Sequence, residues 1–133
     1  MIRTQYSRTI LFALLTLLVL SGCRGLPIYT VTDNDISTLG SGDKTMDQVK
    51  AAIIDAGTPL GWVFADKGEG HLMATLAVRK HMAVVDITYN TKAYSINYKD
   101  SENLNYDGTT IHKNYNGWIQ NLQRRINIKL SSL

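Results

Sequence analysis

Between residues 44 and 133 the apolar positions recur first with a period near 3.6, then with a period of two, then near 3.6 again. Met46, Val49, Ile53 and Ala56, with Ala52 beside them, fall on one side of a helix. Thr45 and Gln48 stand at the spacing of a capping box, and Gly57 and Pro59 supply a stop. A helix is predicted over 46–56. Trp62-Val63-Phe64-Ala65 is a short β-prone run, and DKGEG at 66–70 is a turn. Leu72, Ala74, Leu76 and Val78 then alternate with polar or small residues, as do Ala83, Val85, Ile87 and Tyr89, and Tyr94, Ile96 and Tyr98. Arg79-Lys80 and Asn90-Thr91-Lys92 reverse the chain between them, and such short links force neighbouring strands antiparallel. Tyr115, Trp118, Ile119, Leu122 and Ile126 draw a second helical stripe, with Arg124, Arg125 and Lys129 late in it, where cations suit the helix dipole. The order predicts an α+β domain: helix, four-stranded antiparallel meander, helix, with both helices on one face of the sheet.

That layout leaves the other sheet face open. It would present Met73, Thr75, Ala77, Val84, Asp86, Thr88, Ser95 and Asn97. The set is small and mostly polar, which suits water. Met73 and Val84 also make it stickier than water requires, so a docking surface for an inhibitor-like or chaperone-like module is the competing reading.

The beginning of the chain has neither period. Residues 1–8 carry Arg3 and Arg8 and no acid, and Ile10–Leu20 is apolar except for Thr16. A basic stretch followed by an apolar run of this length is a secretory signal, too short for the about 20 apolar residues that span a bilayer. Leu20-Ser21-Gly22-Cys23 follows, and it contains the chain's single cysteine. These four residues resemble the lipobox of bacterial lipoproteins at every position. The resemblance implies cleavage between Gly22 and Cys23, a diacylglyceryl group on the Cys23 thiol and an anchor in a membrane. Lipoproteins of this type that stay in the inner membrane tend to carry an aspartate after the cysteine. Arg24 stands there instead, so the resemblance implies an outer-membrane anchor facing the periplasm. The competing reading is an ordinary signal peptide with a chance cysteine, or a short anchor helix.

Removal of residues 1–22 takes Arg3 and Arg8 with it and lowers the formal net charge from +3 to +1. A near-neutral domain has no electrostatic case for nucleic acid. A lone cysteine has no disulfide partner, so the fold must stand on its core. From Gly25 to Asp43 the chain is rich in Gly, Ser, Thr, Asn and Asp, which predicts a flexible tether over 23–43 with a reach of roughly 25 Å. Within it Pro27–Val31 is β-prone and is a candidate edge strand. The expected division is therefore signal peptide 1–22, tether 23–43 and α+β domain 44–133.

Candidate chemistry is thin. His71, His81 and His112 have no metal-ligand spacing, so neither a metal nor a cofactor is expected. Ser95 or Ser101 with His112 and Asp86 can be drawn as a triad, but no nucleophile-elbow pattern supports it. Gly68-Glu69-Gly70 precedes a strand rather than a helix, unlike a phosphate loop. The segment 99–118 is long for a connection in a small domain. Its Tyr106, His112, Tyr115 and Trp118, set among asparagines, are the candidate binding residues, because flat apolar rings with amides can grip a sugar or a peptide. The competing reading has Leu104 and Ile111 pinning the segment to the core. Trp62-Val63, ATLAVRKHMAVVDITY, YSINYKDSENLNY and IHKNYNGWIQNL together resemble a family of small proteobacterial lipoproteins over roughly residues 46–126. That family brings no assigned activity. The expected protein is a lipid-anchored, non-catalytic binding or assembly module for an envelope protein or cell-wall component. The alternative is a small glycan-acting hydrolase using His112 with Asp107 or Asp100.

Overall fold

The computed structural model describes residues 25–133. The expected signal segment 1–22 and the expected acylation motif, with Gly22 and Cys23, lie outside them. The fold is α+β, with seven strands among the described residues, β1 Leu26–Pro27, β2 Val31–Asp35, β3 Val63–Asp66, β4 His71–Val78, β5 His81–Tyr89, β6 Ala93–Glu102 and β7 Thr110–Ile111, and two α-helices, α1 Met46–Gly57 and α2 Lys113–Ser131.

Helix α1 begins where the capping box places it. Thr45 Oγ1 accepts from the Gln48 amide at 3.2 Å, and Gln48 Oε1 accepts from the Thr45 amide at 2.9 Å. It runs on into a single 3₁₀ turn at Thr58–Leu60 that contains Pro59, and Gly61 ends that turn at φ 95°. The left-handed stop is therefore Gly61, not Gly57. Gly57 is buried inside the helix end, where a Cβ would lie 2.4 Å from the Phe64 ring and 3.1 Å from Leu122. Helix α2 starts two residues earlier than its apolar stripe, because His112 caps it, with Nδ1 accepting from the Asn114 amide at 3.2 Å.

The main sheet has five strands, in the order β2-β6-β5-β4-β3, all antiparallel. Strands β3 to β6 form the meander, and the expected count of four is corrected by β2, which closes the far edge against β6. Val31 lies opposite Ile96, and Asn34 and Asp35 lie opposite Tyr94 and Ala93. The extra residue on β2 is absorbed around Asp33, which takes φ 44° and donates its amide to Ser95 Oγ. This also corrects the place of Ser95, which is buried under the β2 edge rather than displayed on the open face.

The expected tether at 23–43 is corrected as well, from Leu26 onward. Val31 and Ile36 are both buried in the core. β1 pairs with β7, Leu26 opposite Ile111, in a separate two-stranded ladder. The Asn116 side chain clamps the link between β1 and β2 by donating to the Pro27 carbonyl at 2.9 Å and accepting from the Tyr29 amide at 2.8 Å. A chain of side-chain hydrogen bonds continues along α2. Tyr29 Oη donates to Gln123, Gln123 to Asn34, and Asn34 to Asn127, which also accepts from Tyr94 Oη at 2.8 Å. Each of these polar groups loses water on folding, and each gains a partner. The candidate edge strand at 27–31 is thus present but displaced: 28–30 bridge two strands rather than forming one.

One core joins all these elements. Leu72, Ala74, Leu76, Ala83, Val85, Ile87, Tyr94 and Ile96 of the sheet share it with Val49, Ile53 and Ala56 of α1 and with Tyr115, Ile119, Leu122 and Ile126 of α2.

Candidate functional site

Two regions carry the side chains that could do chemistry or binding: the end of the domain formed by 99–112, and the sheet face away from the core.

At the first, β6 runs to Glu102, beyond the Lys99 at which alternation suggests a loop. The following segment folds back onto the core. Leu104 and Ile111 are buried, and the His112 amide donates to the Leu104 carbonyl at 2.9 Å. Asp107 holds the turn, accepting from the amides of Thr109 and Thr110 and from the Thr110 hydroxyl. Those hydrogen bonds, led by the Thr110 amide, keep its carboxyl below the usual range. The segment is anchored to the β4–β5 turn as well: His81 Nδ1 donates to the Asn103 carbonyl at 2.8 Å, and Asn103 donates to the Lys80 carbonyl.

The four candidate binding residues do not converge on one cleft. Tyr115 is wholly buried, its ring edge-on to Tyr98 at 5.8 Å. Burial pushes its phenol up, and its hydroxyl has no hydrogen-bond partner among the described residues. Trp118 packs against the core beside a small cavity of about 70 Å³ that it lines with Leu60, Trp62 and Leu76. His112 is a helix cap that stacks on His81 at 5.9 Å. Tyr106 alone of the four is exposed, at 36 %, and it lies on the ring of Tyr98 at 4.0 Å. Neither Asp100 nor Asp107 hydrogen-bonds to His112; Asp100 accepts from the Ser101 amide instead. Ser101 is joined to Tyr98 Oη at 2.8 Å, and Ser95 to Asp33, so the drawn triad is not assembled either.

On the open sheet face the central residue is Asp86. It accepts from His71 Nε2 at 2.7 Å through one carboxylate oxygen and from Lys99 Nζ at 3.1 Å through the other. Lys99 reaches it because β6 carries one extra residue there: Val84 faces Asp100 and Val85 faces Tyr98, which leaves Lys99 unpaired in the ladder. Such a bulge re-aims a side chain. Partial burial raises the Asp86 carboxyl, the two hydrogen bonds outweigh it, and the net displacement is downward. Around this polar group Met73, Thr75 and Val84 are half-buried, while Ala77, Thr88 and Asn97 are exposed. Val63 on the outer strand β3 faces Thr75 and is 71 % exposed. The His71–Asp86–Lys99 group is the arrangement that alternation alone does not reveal. The signal present in the sequence is the shared parity of His71, Met73 and Asp86; the bulge that adds Lys99 leaves none.

Two further depressions are open and polar. One of about 480 Å³ follows α2 past Gln120, Arg124 and Ile128. The other, about 350 Å³, lies between the start of α1 and the β3–β4 turn, where Lys50 is paired with Asp66. Among the described residues no three His, Cys, Asp or Glu gather as metal ligands, and no helix is long and apolar enough to cross a membrane.

No family model, curated protein or solved structure matches the chain.

Proposed function

We propose that the chain is an outer-membrane lipoprotein, acylated on Cys23 and facing the periplasm, that serves as a non-catalytic binding or assembly module for an envelope protein or cell-wall component. The single observation that carries this reading is Leu20-Ser21-Gly22-Cys23 directly after the apolar run Ile10–Leu20. Two or three acyl chains, at about 0.8 kcal/mol per buried CH₂, make such an anchor lasting. With both helices on one side of the sheet, the opposite side is left for a partner, and its mixture of Val63, Met73, Thr75 and Val84 around a neutralised Asp86 suits a protein surface better than a substrate. His112 as a helix cap without a bonded carboxylate favours a binding module over a glycan-acting hydrolase.

Intact mass spectrometry of the protein purified from its native membrane tests the anchor. The expected product begins at Cys23 and carries a diacylglyceryl group. A chain that retains residues 1–22, or has a free thiol, overturns the reading. Cys23→Ser is expected to move the protein out of the membrane fraction.

A further inference from the structure

The acylation motif and the first ladder lie very close in sequence. Leu26 is paired with Ile111 only three residues after Cys23. Three residues span at most about 11 Å, whatever their conformation. The polar layer on each side of a bilayer is about 5–8 Å deep. An acyl anchor at Cys23 therefore holds the β1–β7 end of the domain within a few ångströms of the headgroups, where a tether of 19 free residues would let it stand roughly 25 Å away.

That end is defined by contacts. Leu26 lies against Ile111, and His112, the next residue, stacks on His81, which follows the Arg79–Lys80 turn. Its surface suits an anionic interface. Arg79, Lys80 and Lys113 are exposed there. Near the same end are the exposed carboxylates of Asp100, Glu102 and Asp107, and Asp107 is turned back onto Thr109 and Thr110. Leu26, 50 % exposed, and Tyr106 supply an apolar side chain and an amphipathic ring, the types that settle at headgroup depth.

We propose that this end of the domain, through Leu26, Tyr106, Arg79, Lys80 and Lys113, rests on the headgroups of a bilayer containing anionic lipid. The inference depends on acylation at Cys23. It places the loop 103–109 at the membrane and turns the opposite end, with the β5–β6 turn and the C-terminus of α2, toward the aqueous space.

The test uses the full-length acylated protein at one copy per lipid nanodisc of phosphatidylethanolamine and phosphatidylglycerol. With Cys23 blocked by its lipid, an introduced cysteine is the one free thiol. Nitroxides are attached at Thr109→Cys and Lys80→Cys at the near end, and at Lys92→Cys and Ser41→Cys at the far end. Collisions with a water-soluble nickel chelate are expected to be several-fold fewer at the near pair than at the far pair. Insertion of about twelve Gly/Ser residues after Arg24, a reach of roughly 20 Å, is expected to erase most of that difference. Equal accessibility at all four positions overturns the proposal. So does protection that appears only when discs hold several copies, which would make a second copy the occupant, and so does protection unchanged by the insertion. Mass spectrometry of the same preparation separates the two failures: an unacylated Cys23 removes the lipoprotein reading, whereas an acylated Cys23 with four equal labels removes only this inference.

Discussion

The two faces of strands β4 to β6 are made from alternate residues of the same three strands, yet they are held by different physics. On the inner face Leu72, Leu76, Val85, Ile87 and Ile96 are removed from water altogether. Each contributes about 1.5–3 kcal/mol through that transfer, and all belong to the one core shared with both helices. On the outer face Met73, Thr75 and Val84 are half-exposed, and the main specific interaction is the pairing of Asp86 with His71 and Lys99. Cross-strand and partly exposed ionic pairs of this kind contribute about 1 kcal/mol or less. The lesson is a division of labour at a spacing of one residue. A change on the inner face is felt by the whole fold, while a change on the outer face leaves the fold intact and alters only the surface the sheet presents.

Four variants break or sharpen that contrast. Ile87→Ala, on the inner face, is expected to cost about 3–4 kcal/mol, read as a lower urea midpoint at unchanged slope. Gly70→Ala acts where β4 begins and both faces start. Gly70 has φ 70°, and a Cβ there would lie 2.7 Å from the Tyr89 carbonyl oxygen. A loss of about 2 kcal/mol is expected in the same assay. Asp86→Asn tests the outer face directly, at an expected cost of about 1 kcal/mol near neutral pH. The Asp86 carboxyl titrates below its unfolded value of about 3.9, so its contribution is complete above that pH and disappears as pH falls through the folded value. The gap between the native protein and Asp86→Asn should therefore narrow as pH falls below about 4 and through the folded value; a constant gap would show that Asp86 acts by packing. The smallest effect on stability belongs to Met73→Lys with Thr75→Lys, about 0.5 kcal/mol or less, since both side chains are half-exposed. The same pair is expected to abolish capture of the partner from crosslinked envelopes; retained capture would place the partner elsewhere.

The inner face was legible from sequence because periodicity is a direct record of burial. Leu72, Ala74 and Leu76 recur at every second position and are buried, while His71, Met73 and Thr75 between them are half-exposed, so one side of the strand is dry. The capping box at Thr45 and Gln48 and the stripe from Tyr115 to Ile126 were legible for the same reason. The fifth strand was not. Val31–Asp35 reads VTDND, and four of its five residues are polar. It is an edge strand whose pairing comes from the β6 backbone and whose burial comes from Val31 and Ile36 at its two ends, so it has no alternation to detect. The candidate site fared less well than the fold. Tyr115 and Trp118 stood out as aromatics in a long segment, but composition does not distinguish a ring that faces a ligand from one that faces Tyr98 or Leu60. The Asp86 group was hidden because it depends on the extra residue in β6, a matter of register that only the folded ladder decides.

The clasp between the first described residues and the last helix also sets an order of events. Asp33 waits for Ser95, 62 residues downstream, and Tyr29 waits for Gln123, 94 residues downstream. Contacts so distant along the chain form late, after the entropy of closing the intervening loop has been met. The residues that leave the ribosome first are thus the last to find their partners. Strands β1 and β2 are therefore expected to stay unpaired until β6, β7 and α2 have formed.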